Sequence, residues 1–246
     1  MASYDDVPDD ELTRRLKVPR VVALDEVGST LDVAHSLAAE GALAGTVIVA
    51  DSQSAGRGRM GRGWRSAPGA GVWLTMIERP AAGPALDVLS LRVGIELAPA
   101  LDPFAAKPVR LKWPNDLYVG DRKLGGVLVE ARWRDGVPEW VAIGVGVNVV
   151  TPEEEPRAIG LAPGASRLDV LGAMVPAIRA AATRSGQLTA SEIAAFSARD
   201  LAAGRRCELP VAGKVIGIDA SGSLRVDVGS EIATVRSGSL VLQEET

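Results

Sequence analysis

Apolar residues recur along this chain in two rhythms, one near 3.6 residues and one of 2, and the switches between them order the elements. Residues 21–24 (VVAL) read as a short strand. Ser29 and Thr30 then cap a helical pattern carried by Leu31, Ala34, Leu37 and Ala38, which stops at Gly41. Residues 46–51 (TVIVAD) and 72–78 (VWLTMIE) are apolar runs of strand length, and 86–101 returns to helical spacing. Residues 109–150 form a β-meander: VRLKWPNDLYV leads into a Gly120-Asp121 turn, KLGGVLVEARW into an Asp135-Gly136 turn, and EWVAIGVGVNVV closes it. Two alanine-rich helices follow over 167–183 and 190–203. Beyond Arg205, short β segments broken by Ser-Gly predict a small barrel-like appendage. The twenty residues before Val21 hold one short helix at most, too little for a helix-turn-helix module.

Ideal two-residue turns fix a register for the meander. Lys123 then pairs with Tyr118 and Asn148, and Gly125 pairs with Asp116. One sheet face would carry Val109, Leu111, Trp113, Leu117, Leu124, Leu128, Val145, Val147 and Val149, a core face. The other would carry Lys112, Asp116, Lys123, Gly125, Gly144, Gly146 and Asn148. Lysines are commonplace on solvated faces, but exposed strands gain nothing from glycine. Charged groups beside cleared space point to a binding floor. A one-residue slip would exchange the faces, and Pro114 bends its strand so that Asn115 can face either way.

With 246 residues, 47% hydrophobic and 24% charged, the chain supports one large core and something small beside it. Its net charge of −4 argues against a surface built for nucleic acid or anionic membrane. The single cysteine, Cys207, excludes an internal disulfide, and no Cys/His cluster is present to hold zinc. The N-terminus lacks an apolar signal segment, and no apolar run approaches the ~20 residues of a membrane span. The expectation is a soluble, cytoplasmic protein.

Against this acidic background, SAGRGRMGRGW (residues 54–64) is an anomaly. Gly56, Gly58 and Gly61 spell G-x-G-x-x-G after a strand, but Pro68 and three glycines follow where a dinucleotide fold needs a helix to start. The loop could be a stacking nucleic-acid patch using Trp64, a flexible surface loop, or a cationic flap over a small polyanion. No acid stands between Asp51 and Glu78, a window holding Arg57, Arg59, Arg62 and Arg65, and that bias favours the flap. There is no Walker motif.

GRGRMGRGW (56–64), KWPND (112–116), KLGGVLVE (123–130) and GVGVNV (144–149) stand in the order and spacing of the biotin protein ligases. The chain resembles that family over about residues 21–150, and more loosely through the β tail. The resemblance implies an α+β fold, a mixed and largely antiparallel sheet packed against helices as in class II aminoacyl-tRNA synthetases. Residues 1–203 would be catalytic, with 1–20 a short extension, and 204–246 an SH3-like domain. A DNA-binding domain is not expected, so the resemblance is to the monofunctional form.

The family joins biotin and ATP to biotinyl-5′-AMP, then passes biotin to a lysine of a carrier. The resemblance assigns catalysis to Lys123, Arg59 and Asp116. Biotin would lie against Ser29, Thr30, Gln53, Gly56, Arg57, Gly58, Arg59, Lys123, Gly125 and Gly126. ATP would meet Arg59, Arg62, Trp64, Lys112, Asn115, Lys123 and Asn148. Lys123 would bridge carboxylate and α-phosphate, Arg57 and Arg59 would hold the carboxylate and adenylate phosphate, and Asp116 would orient Mg²⁺ or the incoming lysine. The metal's ligands are not assigned. The implied partner is a biotin carboxyl carrier domain of an acyl-CoA or pyruvate carboxylase, with neither nucleic acid nor membrane involved and with monomer and homodimer both open.

Two departures stand out: Leu31 where the family shows Asn, and Met60 where many members are basic. His35 reads as a surface residue, and Trp73, Trp133 and Trp140 as packing. Lipoate and octanoate transferases share the fold but carry Arg-Arg…Gly-Gly-Gly and a downstream His, which this chain lacks. A nucleic-acid-binding protein using the Arg-Gly loop is the alternative of a different class.

Overall fold

The computed structural model describes residues 3–79 and 85–243. The chain opens with a hairpin of β1 (Ser3–Tyr4) and β2 (Val7–Pro8), followed by the short helix α1 (Asp9–Leu16). Next come β3 (Val21–Val27), α2 (Thr30–Ala39) and β4 (Val47–Gln53), a parallel crossover unit. Strand β5 (Gly71–Glu78), helix α3 (Leu89–Leu101) and strands β6 (Val109–Lys112), β7 (Asp116–Val119), β8 (Arg122–Arg134) and β9 (Val137–Asn148) complete the main sheet. Its seven strands run in the order β3-β4-β5-β9-β8-β7-β6, antiparallel except for β3 and β4.

Both faces of this sheet are covered, which is why its central strands are almost continuously apolar. On one face α2 lays Leu31, Ala34 and Ala38 against Ile48, Ile77 and Ala142. On the other lies the main core, where Val49, Leu74, Met76 and Val145 meet α3 and α4 (Arg167–Ala182). Helix α5 (Ala190–Ser197) packs on α3. A five-stranded antiparallel sheet follows, built from β10 (Arg206–Leu209), β11 (Gly213–Ile218), β12 (Leu224–Asp227), β13 (Ile232–Val235) and β14 (Val241–Leu242) in the order β13-β12-β11-β10-β14. Cys207, Val215 and Val226 of this sheet join the main core. The α+β architecture expected from the sequence is the one observed. Among the described residues, no helix is long and apolar enough to cross a membrane.

Four expectations need correction. The segment 109–119 is two strands, because the chain reverses at Trp113–Asn115 and pairs β6 with β7. The second alanine-rich helix ends at Ser197, not 203, because Arg199 and Leu201 bond Leu111 of β6 instead of continuing the helix. The ideal register holds for Lys123 with Tyr118, but an irregularity then shifts the ladder, so Asp116 faces Gly126 and not Gly125. A second shift between Arg132 and Trp133 pairs Gly125 with Val147 and Gly126 with Gly146, whereas Lys123 bridges to Ala158 and not to Asn148. Gly125 therefore leaves the site face, and Leu128 packs on the α2 side while Val127 takes the main-core position. Each extra residue inverts the alternation for the stretch beyond it.

Candidate active site

The site lies on the α2 face of the main sheet, beyond the N-terminus of α2. Glycines at 126, 144 and 146 keep side chains off the floor there. Leu31 fills the space over Gly144, whose added Cβ would lie 3.3 Å from it. The position where the family shows Asn is thus an apolar wall in this chain.

One end of the pocket is polar and closed. Ser29 caps α2 through its hydroxyl, accepting from Leu31 N–H, and is itself buried, so the capping and site readings coexist. Thr30 donates from N–H and hydroxyl to Gln53 Oε1, at 2.9 and 3.1 Å, while Gln53 Nε2 donates to Ser66 Oγ at 2.7 Å. Thr75, fully buried, shares a hydrogen bond with Thr30 at 2.8 Å. Sequence reading missed Thr75 and Ser66. An isolated Thr in an apolar strand was the only signal of the first, and the pairing of Gln53 with Ser66 across the loop is not written in any local pattern.

The arginine-rich segment is a folded flap. It is closed by Gln53 N–H to Ser66 O, Trp64 N–H to Gly56 O and Gly58 N–H to Arg62 O. Gly56 is obligatory for that closure, because a Cβ there would sit 2.3 Å from Trp64 O. The flap lays the Trp64 indole on Gly146, where an added Cβ would meet Nε1 at 2.6 Å. Trp64 Nε1 is buried with no hydrogen-bond partner among the described residues, which is unusual in a folded protein and common where a ligand supplies the acceptor. Gly146→Ala is expected to cost about 1–3 kcal/mol, and Gly126→Ala, whose Cβ would meet Asp116 Oδ1 at an ordinary 3.4 Å, far less. Equal melting temperatures for the two variants would contradict the close seating of Trp64.

The open end is cationic. Lys123 Nζ lies 2.7 Å from Asp116 Oδ1 and 5.2 Å above the Trp64 ring. Arg59 donates to Asn115 Oδ1 at 3.3 Å, and Asn115 in turn donates to Val127 O at 2.7 Å. Burial lowers the Arg59 pKa against the pull of Asp116, and nearby Arg62 adds to the lowering. Burial likewise lowers Lys112, with Asp116 opposing and Lys123, Arg205 and Arg157 reinforcing. These cations are crowded and partly desolvated, a state that an incoming polyanion relieves.

The structure brings Ser29, Thr30, Gln53, Arg57, Gly58 and Arg59 to one pocket, together with Arg62, Trp64, Asn115, Asp116, Lys123 and Gly126. Lys112 and Asn148 line the cavity next to it, which runs toward Ser239 of the small sheet. Asn148 donates to Ile159 O at 3.2 Å. Gly56 and Gly125 line neither cavity: one is packed into the base of the flap against Trp64 and Ser66, and the other is turned away by the register shift. His35 is not a plain surface residue, for Nε2 contacts Glu130 at 2.9 Å and Nδ1 accepts from Trp140 Nε1–H at 2.9 Å.

A family model described as the biotin/lipoate A/B protein ligase family matches residues 27–148. The biotin–[acetyl-CoA-carboxylase] ligase of Mycobacterium tuberculosis is 34% identical over 239 residues, covering 88% of this chain and 86% of that protein. The bifunctional ligase/repressor BirA of Escherichia coli is 44% identical over 116 residues, 47% of this chain. The chain spans little more than a third of the length of the bifunctional relatives it matches, 36–39%. A structure of the Aquifex aeolicus biotin protein ligase in complex with biotin and ATP superposes with a TM-score of 0.73 at 26% identity, over 92% of this chain and 99% of that one. With the site motifs inside the matched span and a relative aligned over nearly its whole length, the chain belongs to the biotin/lipoate A/B protein ligase family, among its biotin protein ligases.

Proposed function

We propose that the chain is an ATP-dependent biotin protein ligase that forms biotinyl-5′-AMP and transfers biotin to a lysine of a carrier domain. The observation that carries this reading is a single pocket with a closed polar end, an apolar glycine-lined floor and a cationic mouth. A bicyclic ureido head fits the polar end, an alkyl chain the floor, and a carboxylate meeting a phosphate the mouth. In the first step a biotin carboxylate oxygen attacks the α-phosphorus, and the bond to the β-phosphate breaks with its electron pair leaving on pyrophosphate. Lys123 and Arg59 offset the negative charge gathered there. In the second step the carrier lysine attacks the acyl carbon and AMP leaves. Asp116 is the carboxylate suited to orient the incoming amine. The flap excludes water from the mixed anhydride.

The described residues form no cluster of three acids, His or Cys able to hold a metal, and Asp116 is engaged with Lys123. They do not fit a resident metal site, so Mg²⁺ would enter with the phosphates of ATP. Residues 1–203 are assigned to this chemistry and 204–246 to a small accessory domain. The carrier is proposed to be the biotin domain of an acyl-CoA or pyruvate carboxylase, and the setting cytoplasmic.

A linear acid such as octanoate would bring no hydrogen-bonding head to the polar end lined by Ser29, Thr30 and Gln53, and would lie with alkyl surface against it. ATP–pyrophosphate exchange is therefore expected with biotin and not with octanoate or lipoate; exchange with a fatty acid alone would overturn the assignment. Salt-sensitive RNA binding without exchange would return the loop to its nucleic-acid reading.

A further inference from the structure

Among the flap arginines, Arg57 is matched by two carboxylates on the body of the protein, whereas Arg65 pairs with the exposed Glu154. Arg57 Nη2 lies 2.9 Å from Asp32 Oδ1 and 3.2 Å from Glu130 Oε2. Asp32 sits in the first turn of α2 and Glu130 on β8, so one nitrogen ties the flap to both a helix and the sheet. Glu130 Oε2 is held from behind by His35 Nε2 at 2.9 Å. Trp140 Nε1–H donates to His35 Nδ1, which therefore carries no proton. The neutral ring must donate from Nε2 to Glu130, and it adds no second cation to compete with Arg57. Trp140 is anchored in the apolar cluster beneath α2. The series runs from that core to the flap: Trp140 to His35 to Glu130, then Arg57, then Asp32.

We propose that Glu130 and Asp32 are positioning residues that latch the flap closed through Arg57, with His35 and Trp140 holding Glu130 in place. Arg57 then serves as the latch and not as a ligand of the substrate carboxylate. Two carboxylates on one guanidinium leave no net positive charge for a third, whereas Lys123, Arg59 and Arg62 line the same pocket. The geometry of the latch does not depend on the ligase reading. Its consequence for the reaction does: a looser flap would release or hydrolyse the acyl-adenylate sooner.

Two measurements separate these. Limited trypsin cleavage of the ligand-free full chain within the flap is expected to accelerate about fivefold in Glu130→Gln and in Asp32→Asn, the scale for partly exposed ion pairs. Both sites are partly exposed, with side-chain accessibilities of 30% and 66%, so the variants keep the fold. In an Arg57→Ala background Glu130→Gln should add nothing, the non-additivity of residues that act through one another. Retention of biotinyl-5′-AMP should shorten by a similar factor in both carboxylate variants. Unchanged cleavage, or additive effects with Arg57→Ala, would overturn the latch. Tighter biotin binding in Glu130→Gln would also overturn it, because Arg57 would then be a substrate ligand freed from a competitor. A wild-type chain that forms no adenylate would sink the ligase reading while the cleavage result still decides the latch.

Discussion

Replacement of Lys123 by alanine is expected to lower biotin-dependent ATP–pyrophosphate exchange by about 10²–10³-fold, the cost of removing one preorganised charge from a developing anion. Lys123 Nζ stands 2.7 Å from Asp116 and over the Trp64 ring, where the cationic mouth meets the apolar floor. Its main chain is held independently, N–H to Arg157 O and carbonyl from Ile159 N–H, so truncating the side chain leaves the strand in place. The melting temperature should therefore move little. Lys123→Arg restores the charge but not the compact, rotatable ammonium, and is expected to recover only part of the rate. Near-normal exchange in Lys123→Ala, with the protein folded, would falsify the assigned role.

The largest effect on stability is expected from Glu192→Ala, about 3–5 kcal/mol. Arg92 of α3 and Glu192 of α5 are 1% and 2% exposed, and Arg92 Nε donates to Glu192 at 2.8 Å. Arg92 also donates to the carbonyls of Gln187 and Ser185, while Nη1 already lacks a partner among the described residues. Removing the carboxylate leaves a buried cation uncompensated and breaks the capping box of α5. The double variant Arg92→Met/Glu192→Leu should recover much of the loss, because it buries no charge. Burial opposes ionisation of Glu192, yet hydrogen bonds from Arg92, the Thr189 backbone and Arg184 outweigh it and hold the pKa near about 2. A folded pKa below the ordinary carboxylate value contributes stability that is complete above about pH 4.5 and lost as the pH falls toward 2. Denaturant titrations over that window should show the wild type losing this component and Glu192→Gln lacking it throughout. Equal acid sensitivity of the two would contradict the assignment. Because α3 packs on β6 and β8, the loss should reach the strands that carry Lys112 and Lys123.

Sequence and structure agree where one physical cause acts alone. The capped helix at Ser29, the buried strands of the main sheet and the charge bias of the flap were each dictated by local chemistry: a hydroxyl before an amphipathic run, unbroken apolar stretches, arginines without acids. Four motifs brought together from distant parts of the chain were legible because each keeps its residues close in sequence. What was not legible depended on one residue more or less. Between Leu117 and Tyr118 of β7 and between Arg132 and Trp133 of β8 the ladder slips, and no turn rule predicts where it will. Gly125 and Gly126 are indistinguishable in composition, yet only the second lies on the floor. The latch around Arg57 was invisible for another reason: its members, at positions 32, 35, 57, 130 and 140, become neighbours only once the sheet has formed.

The tip of the flap touches the small sheet. Arg62 Nη2 donates to Ser239 Oγ at 3.3 Å, and Ser239 in turn approaches Met60 Sδ at 3.8 Å. Whatever free energy a substrate spends in settling the flap is therefore shared, through these contacts, with the turn that precedes β14. Thermodynamic coupling of this kind is reciprocal: a macromolecule that favours the settled turn tightens the hold on the small molecule by the same factor. A carrier seated on that turn would therefore act on the flap without touching a reacting atom.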